Sequence, residues 1–282
     1  LENMLAMGRL ARLRDENPNR VLQFYEQRIL SREPLYAPAF IEAGELALSS
    51  YAYDVAEGYF ARALTLAPEN QDGLVGLADT FWKAGDPRFD EVKSRLEALN
   101  PHHPRLQGLV IARALAADEL ETAAVVLSDM LGINPKQRTA LAYQGALAFL
   151  NEDGAKVEST LDQLAELDPG RADGYWILGE IAARRYRFRE SVAFFRRGIA
   201  VEPDNVAVQS ALGLNLLRLG DDEAGRKVLE AAFERDRFNV QLYNSLEVLD
   251  SLAGFAMLSN EDFMLRMPQE EATVMGAALQ DQ

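Results

Sequence analysis

Six prolines, Pro34, Pro68, Pro101, Pro135, Pro169 and Pro203, recur at intervals of 34, 33, 34, 34 and 34 residues along most of this 282-residue chain. A fixed period of that length marks one supersecondary unit stacked many times over, each copy burying its apolar face against its neighbours. Proline suits the closing position of a helical unit, because it pushes the residue before it out of the helical region and the helix stops there. Asn100-Pro101, Asn134-Pro135, Asp168-Pro169 and Pro203-Asp204 add side chains suited to turns and caps. One Asn-Pro pair is an ordinary turn, but five regular intervals in a row require a repeat.

The inside of the unit agrees. Between Ala37 and Pro68 come Phe40, Ala43-Gly44, Ala47, Ala56, Phe60 and Ala63; between Ala172 and Pro203 come Tyr175, Leu178-Gly179, Ala182, Ser191, Phe195 and Gly198. This order resembles the tetratricopeptide repeat, in which two helices form a hairpin and hairpins stack. Small residues at Gly44 and Gly179 let the paired helices approach, and Phe60 and Phe195 fill the space between hairpins. Units starting at Asp72, His103, Lys136 and Asn205 keep the spacing more loosely. The third keeps the pair Leu77-Ala78, and its second helix is expected from Asp86-Pro87. In the last unit Arg237 stands where proline is due, and before Pro34 a degenerate first unit has Pro18 opening its second helix. The expected fold is all-α, a right-handed superhelical solenoid of about seven units over residues 1–237, with a capping helix at 238–253.

After the capping helix, whose inner side is expected at Val240, Tyr243, Leu246 and Leu249, the pattern changes. Phe255-Ala256-Met257-Leu258 and Phe263-Met264-Leu265-Arg266-Met267 flank a polar turn, Ser259 to Asp262, and predict a β-hairpin; Gln269 to Leu279 predicts a helix. A hairpin alone is marginal, so residues 254–282 are expected to begin a following domain. Phe238-Asn239-Val240, Tyr243-Asn244-Ser245-Leu246, Phe263 to Met267 and Glu270 to Gly276 resemble the junction in large bacterial proteins between tetratricopeptide repeats and a gluzincin-type (peptidase MA) zinc metallopeptidase domain. That resemblance implies a regulatory or substrate-presenting arm of a zinc peptidase, with its own downstream domain as a further contact. The family's His-Glu-x-x-His is not in this sequence, so no catalytic or metal-binding residue is carried over.

Other chemistry is sparse. There is no cysteine, and the two histidines, His102 and His103, sit side by side in an inter-unit turn, where they fill a turn rather than converge on a metal. No phosphate-binding glycine loop, nucleophile elbow or dinucleotide fingerprint occurs, and the chain by itself is read as not an enzyme, with no cofactor. A net charge of −15 disfavours nucleic acid and anionic membranes, and no apolar run has the length of a membrane span. The chain opens at Leu1 without initiator methionine or signal-peptide profile and is read as an excised piece, which leaves localisation open.

The concave surface is the remaining candidate, with a protein or peptide segment as its partner. First helices of the hairpins line it, placing Val75, Asp79 and Trp82, then Leu115 and Phe149, then Trp176, Glu180, Leu214 and Leu217 on or near the wall. Relatives that clamp a chaperone's terminal carboxylate carry Lys and Asn at positions held here by Val75, Ala142 and Trp176 and by Asp79, Ala146 and Glu180, so that activity is not expected. Trp82, Phe149 and Trp176 either face the groove or fill space between helices. Arg184, Arg185, Arg187, Arg189, Arg196 and Arg197 form a basic run. It reads first as a solvated face paired with Glu190, Glu202 and the Asp221-Asp222-Glu223 turn, and second as a docking patch for an acidic segment.

Overall fold

The structure, a computed structural model, describes residues 1–14, 16–259 and 264–280. Among these, α1 (Glu2–Leu13) pairs with α2 (Pro18–Phe24), which runs on as a π-helical stretch, Tyr25–Leu30. Six further hairpins follow: α3 (Ala37–Ser49) with α4 (Tyr53–Leu66), α5 (Gln71–Ala84) with α6 (Phe89–Leu99), α7 (Pro104–Ala116) with α8 (Leu120–Ile133), α9 (Arg138–Leu150) with α10 (Gly154–Leu167), α11 (Asp173–Arg184) with α12 (Phe188–Val201), and α13 (Val206–Arg218) with α14 (Asp222–Arg235). Then come α15 (Val240–Ala253), β1 (Phe255–Ser259), β2 (Met264–Pro268) and α16 (Gln269–Gln280). From α3 to α13, each odd-numbered helix also packs on the odd-numbered helix of the next hairpin, which makes one continuous inner layer.

Two devices at each joint explain the period. Residues before the prolines are extended, as Asn100 is at φ −152° and ψ 89°, and Asp236 adopts the same shape at φ −127° and ψ 81° before Arg237. The turn therefore survives without its proline. Asn100, Asn134, Asp168 and Asp236 each accept a hydrogen bond from the backbone N–H two residues on, at 3.0–3.2 Å. Capping falls to a second set of residues, two positions past the proline site: Asn70, His103, Gln137, Asn205 and Asn239 each accept from the N–H three residues on. His103 is thus the N-cap of α7, and burial lowers its pKa, which keeps the accepting nitrogen unprotonated.

The turn inside each hairpin repeats as well. Tyr51, Gly85, Asp118, Glu152, Tyr186 and Gly220 all take left-handed φ, between 58° and 79°. Their spacing repeats the proline period, yet glycine, the residue such a φ favours, holds two of the six places. In the third unit Asp86-Pro87 belongs to this turn and not to α6, which begins at Phe89; the Asp86 carboxylate accepts from the Arg88 N–H at 2.8 Å.

Phe60 is fully buried between two hairpins, and a Cβ on Gly44 or Gly76 would lie 2.8 Å or 2.3 Å from its ring. Gly76, and not the expected Leu77-Ala78 pair, is therefore the close-approach residue of the third unit. Phe195 stands in the same relation to Gly179, at 2.4 Å.

On α15 the buried stripe is Leu242 and Leu249 with half-buried Leu246, while Val240 and Tyr243 face outward. The cap at Asn239 sets the helix so that Leu242, Leu246 and Leu249, at i, i+4 and i+7, meet α14. The hairpin is antiparallel, with Phe255 opposite Pro268 and Ser259 opposite Met264. Ser259 is thus in the strand, and residues 260–263, which include the rest of the expected turn and Phe263, lie outside the described residues. Arg266 of β2 forms an ion pair with Asp222 at the start of α14, and Met267 is buried. No described helix is long and apolar enough to cross a membrane.

Candidate functional site

Seven hairpins curl the array far enough that its ends face each other. The α3–α4 turn stands opposite α13 and α15 across a cleft of about 1160 Å³, with Tyr51 and Tyr53 on one side and Leu214, Leu217, Val240 and Val248 on the other. Arg266 of the hairpin closes one margin. A smaller cavity of about 300 Å³ continues the seam between Leu46, Ser49 and Tyr51 and the Asp236–Asn239 turn. Val240 and Val248 are 57% and 58% exposed, an unusual outlay of apolar surface two turns apart on one helix.

The expected wall residues divide. Val75 and Leu115 are 1% exposed and Phe149 is 7% exposed, so these three belong to the core and not to the wall. Phe149 packs edge to face on Phe194 at 5.5 Å and is covered by the Arg187 guanidinium at 4.0 Å. Trp82 is half-buried against Phe89 at 6.3 Å. In contrast, Trp176 is 38% exposed, Glu180 lies one turn beyond it on α11, and Leu214 and Leu217 line the cleft. Both readings of the aromatics therefore apply, to different residues.

Asp79 is buried, 8% exposed, and committed. Arg105 donates to its Oδ2 at 2.9 Å and to Glu45 Oε1 at 2.6 Å, bridging α3, α5 and α7, and Lys83 stands 3.6 Å from the other oxygen. Burial, with Asp79 adding to it, raises the Tyr53 phenol and pushes Tyr143 up to about 12. Glu180 has no such partner: among the described residues no ion pair or hydrogen bond reaches its carboxylate. Burial pushes its pKa above the ordinary value, and the charges of Arg184 and Arg218 pull the other way. Across the groove, the Tyr51 phenol is raised by burial, with Tyr53, Glu180 and Asp236 adding to the effect.

The basic run is largely tied down. Arg185 pairs with Asp118, Arg187 with Glu190 at 2.9 Å, and Arg197 with Glu158 through two bonds of 2.7 and 2.8 Å. Of the expected partners, Glu190 alone serves; Glu202 instead accepts from the Ala172 N–H at 2.9 Å, and Asp222 holds Arg266. Arg184, Arg189 and Arg196 make no ion pair among the described residues.

The residues that sequence reasoning missed are Tyr51, Tyr53 and Val248. A turn tyrosine and an exposed valine carry no local signal; they matter because the curl brings them together. Among the described residues no group of three metal-ligating side chains converges.

No family model matches the chain. An alignment 132 residues long, which covers 44% of the chain and 15% of the other protein, is 30% identical to human tetratricopeptide repeat protein 7A. In three dimensions, 83% of the chain superposes with a TM-score of 0.53 and 15% identity on 46% of a chain in the crystal structure of the APC/C hetero-tetramer Cut9–Hcn1. The chain thus spans less than half the length of either. It is a tetratricopeptide-like repeat protein with a solenoid of stacked helix hairpins and a short β-hairpin near its C-terminal end.

Proposed function

We propose that the chain is a protein-interaction scaffold that holds a segment of another protein in its concave groove, chiefly in the cleft between the α3–α4 turn and helices α13 and α15. The observation that carries this reading is the apolar wall of exposed Val240 and Val248 beside half-buried Leu214 and Leu217, which water covers at a cost and an apolar segment would cover at a gain. A helix about 10 Å across, rising about 1.5 Å per residue, fills roughly 120 Å³ per residue, so a cleft of about 1160 Å³ takes roughly ten residues. That is the length of a helix-in-groove or extended-peptide ligand.

On this reading residues 1–237 carry the repeats, the capping helix 238–253 adds Val240 and Val248 to the cleft, and 254–282 begin a further domain that would meet the cleft through Arg266. The arm of a zinc peptidase rests on the junction resemblance alone and is supported by neither compared protein. Selection of a displayed random peptide library on the intact chain tests the scaffold reading. Peptides enriched on the wild type and lost on Val248→Arg support it; equal enrichment on both removes the cleft as the site.

A further inference from the structure

The two ends of the inner wall treat their acids differently. Near the first hairpins, Glu45 and Asp79 share Arg105, and Glu42 is met by Arg9 at 2.6 Å, so the protein supplies its own cations. On α11 the half-buried Glu180 carboxylate has no partner within hydrogen-bond or ion-pair distance among the described residues. A carboxylate withdrawn from water without a partner is costly, and such sites are kept where something else completes them.

The surroundings specify the complement. Trp176, 38% exposed, lies one turn before Glu180 on the same helix face, and the charge of Glu180 reaches the Tyr51 phenol of the second hairpin. An exposed aromatic face beside a carboxylate is the pairing that receives an ammonium or guanidinium group. The protein's own candidates do not take the place. Arg218 donates to Asn215 Oδ1 at 3.2 Å and stacks over Phe188 at 5.5 Å; Arg184, one turn beyond Glu180, stays outside ion-pair distance. Their charges oppose the effect of burial on Glu180 without occupying its carboxylate. A net charge of −15 draws cationic segments toward the chain and repels acidic ones.

Resting on the groove-binding reading above, we propose that the bound segment presents a lysine or arginine side chain that stacks on the Trp176 indole and pairs with the Glu180 carboxylate, next to apolar residues seated in the cleft. The charge preference is opposite to that of a carboxylate clamp.

The test uses the same random peptide library on three intact chains: wild type, Glu180→Gln and Val248→Arg. Glu180→Gln keeps the side-chain shape and removes a strained charge, so its fold is checked by an unchanged circular dichroism spectrum. Wild-type binders should share a basic residue at a fixed offset from apolar positions. On Glu180→Gln the basic preference should vanish while the apolar positions persist, and a lysine-bearing binder should weaken by about tenfold and lose much of its salt dependence. Binders without a fixed basic residue, binders carrying an acid at that place, or a basic preference unchanged in Glu180→Gln would each overturn the proposal and leave the groove reading standing. Enrichment that is the same on wild type and Val248→Arg would remove the groove reading itself.

Discussion

The early hairpins and the late ones are built from the same unit, yet their inner faces differ. At α3, α5 and α7 the wall is closed by its own ion pairs, with Arg105 holding two acids. At α11, α13 and α15 it offers an exposed indole, an unpartnered carboxylate and a row of leucines and valines. Equal cores with unequal walls show that stacking and recognition occupy different positions of the repeat, so one can vary while the other is kept. The early half serves as frame, and its turn at Tyr51 and Tyr53 completes a site whose other wall is late.

The largest expected effect tests whether the cores are equal. Phe60→Ala and Phe195→Ala each empty a fully buried space between hairpins and should each destabilise by about 3–5 kcal/mol, read from urea unfolding followed by circular dichroism. A much smaller loss at Phe195 would mean that the late half is loosely packed throughout, and the contrast would no longer concern the wall.

Next come the walls themselves. Arg105→Ala leaves Glu45 and Asp79 facing each other and should cost about 1–3 kcal/mol in the same assay, whereas Arg184→Ala, which breaks no ion pair, should stay within about 0.5 kcal/mol. Similar values for both would erase the difference between the halves.

The tryptophans sharpen the same contrast in binding. Trp176→Ala should weaken a selected peptide by about 1–3 kcal/mol in fluorescence polarisation with little change in unfolding midpoint. Trp82→Ala should do the reverse, because its ring is half-buried against Phe89.

The smallest effect is a pH dependence. Glu180 has a folded-state pKa raised above 4.5, so the native chain holds its proton more tightly than the unfolded one. The associated stability is complete below 4.5 and is lost as pH rises through the raised value. Glu180→Gln should remove that slope and leave the chain slightly more stable at neutral pH, as seen in thermal midpoints measured from pH 4 to 7. An unaltered slope would place the titration elsewhere.

The proline period, the Gly44–Phe60 and Gly179–Phe195 contacts and the pairing of β1 with β2 were all legible in the residues, because each depends on neighbours a few positions or one unit away. The wall was legible only in part. Consecutive helix positions differ by about 100° around the axis, so a shift of one residue moves a side chain from groove to core, as for Val75, Leu115 and Phe149.

By itself, then, the sequence determined a stack of helix hairpins, its repeat length and its close-packed joints, since these follow from local sterics and apolar spacing repeated many times. Tertiary structure alone decided three things. The left-handed turn at Tyr51, Asp118, Glu152 and Tyr186 is imposed on residues that do not favour it. Arg105, from the fourth hairpin, closes the early wall across α3 and α5. The cleft between Tyr51 and Val248 arises from small rotations summed over the whole array, which bring residues remote in the chain face to face, and no local pattern of amino acids records such a sum.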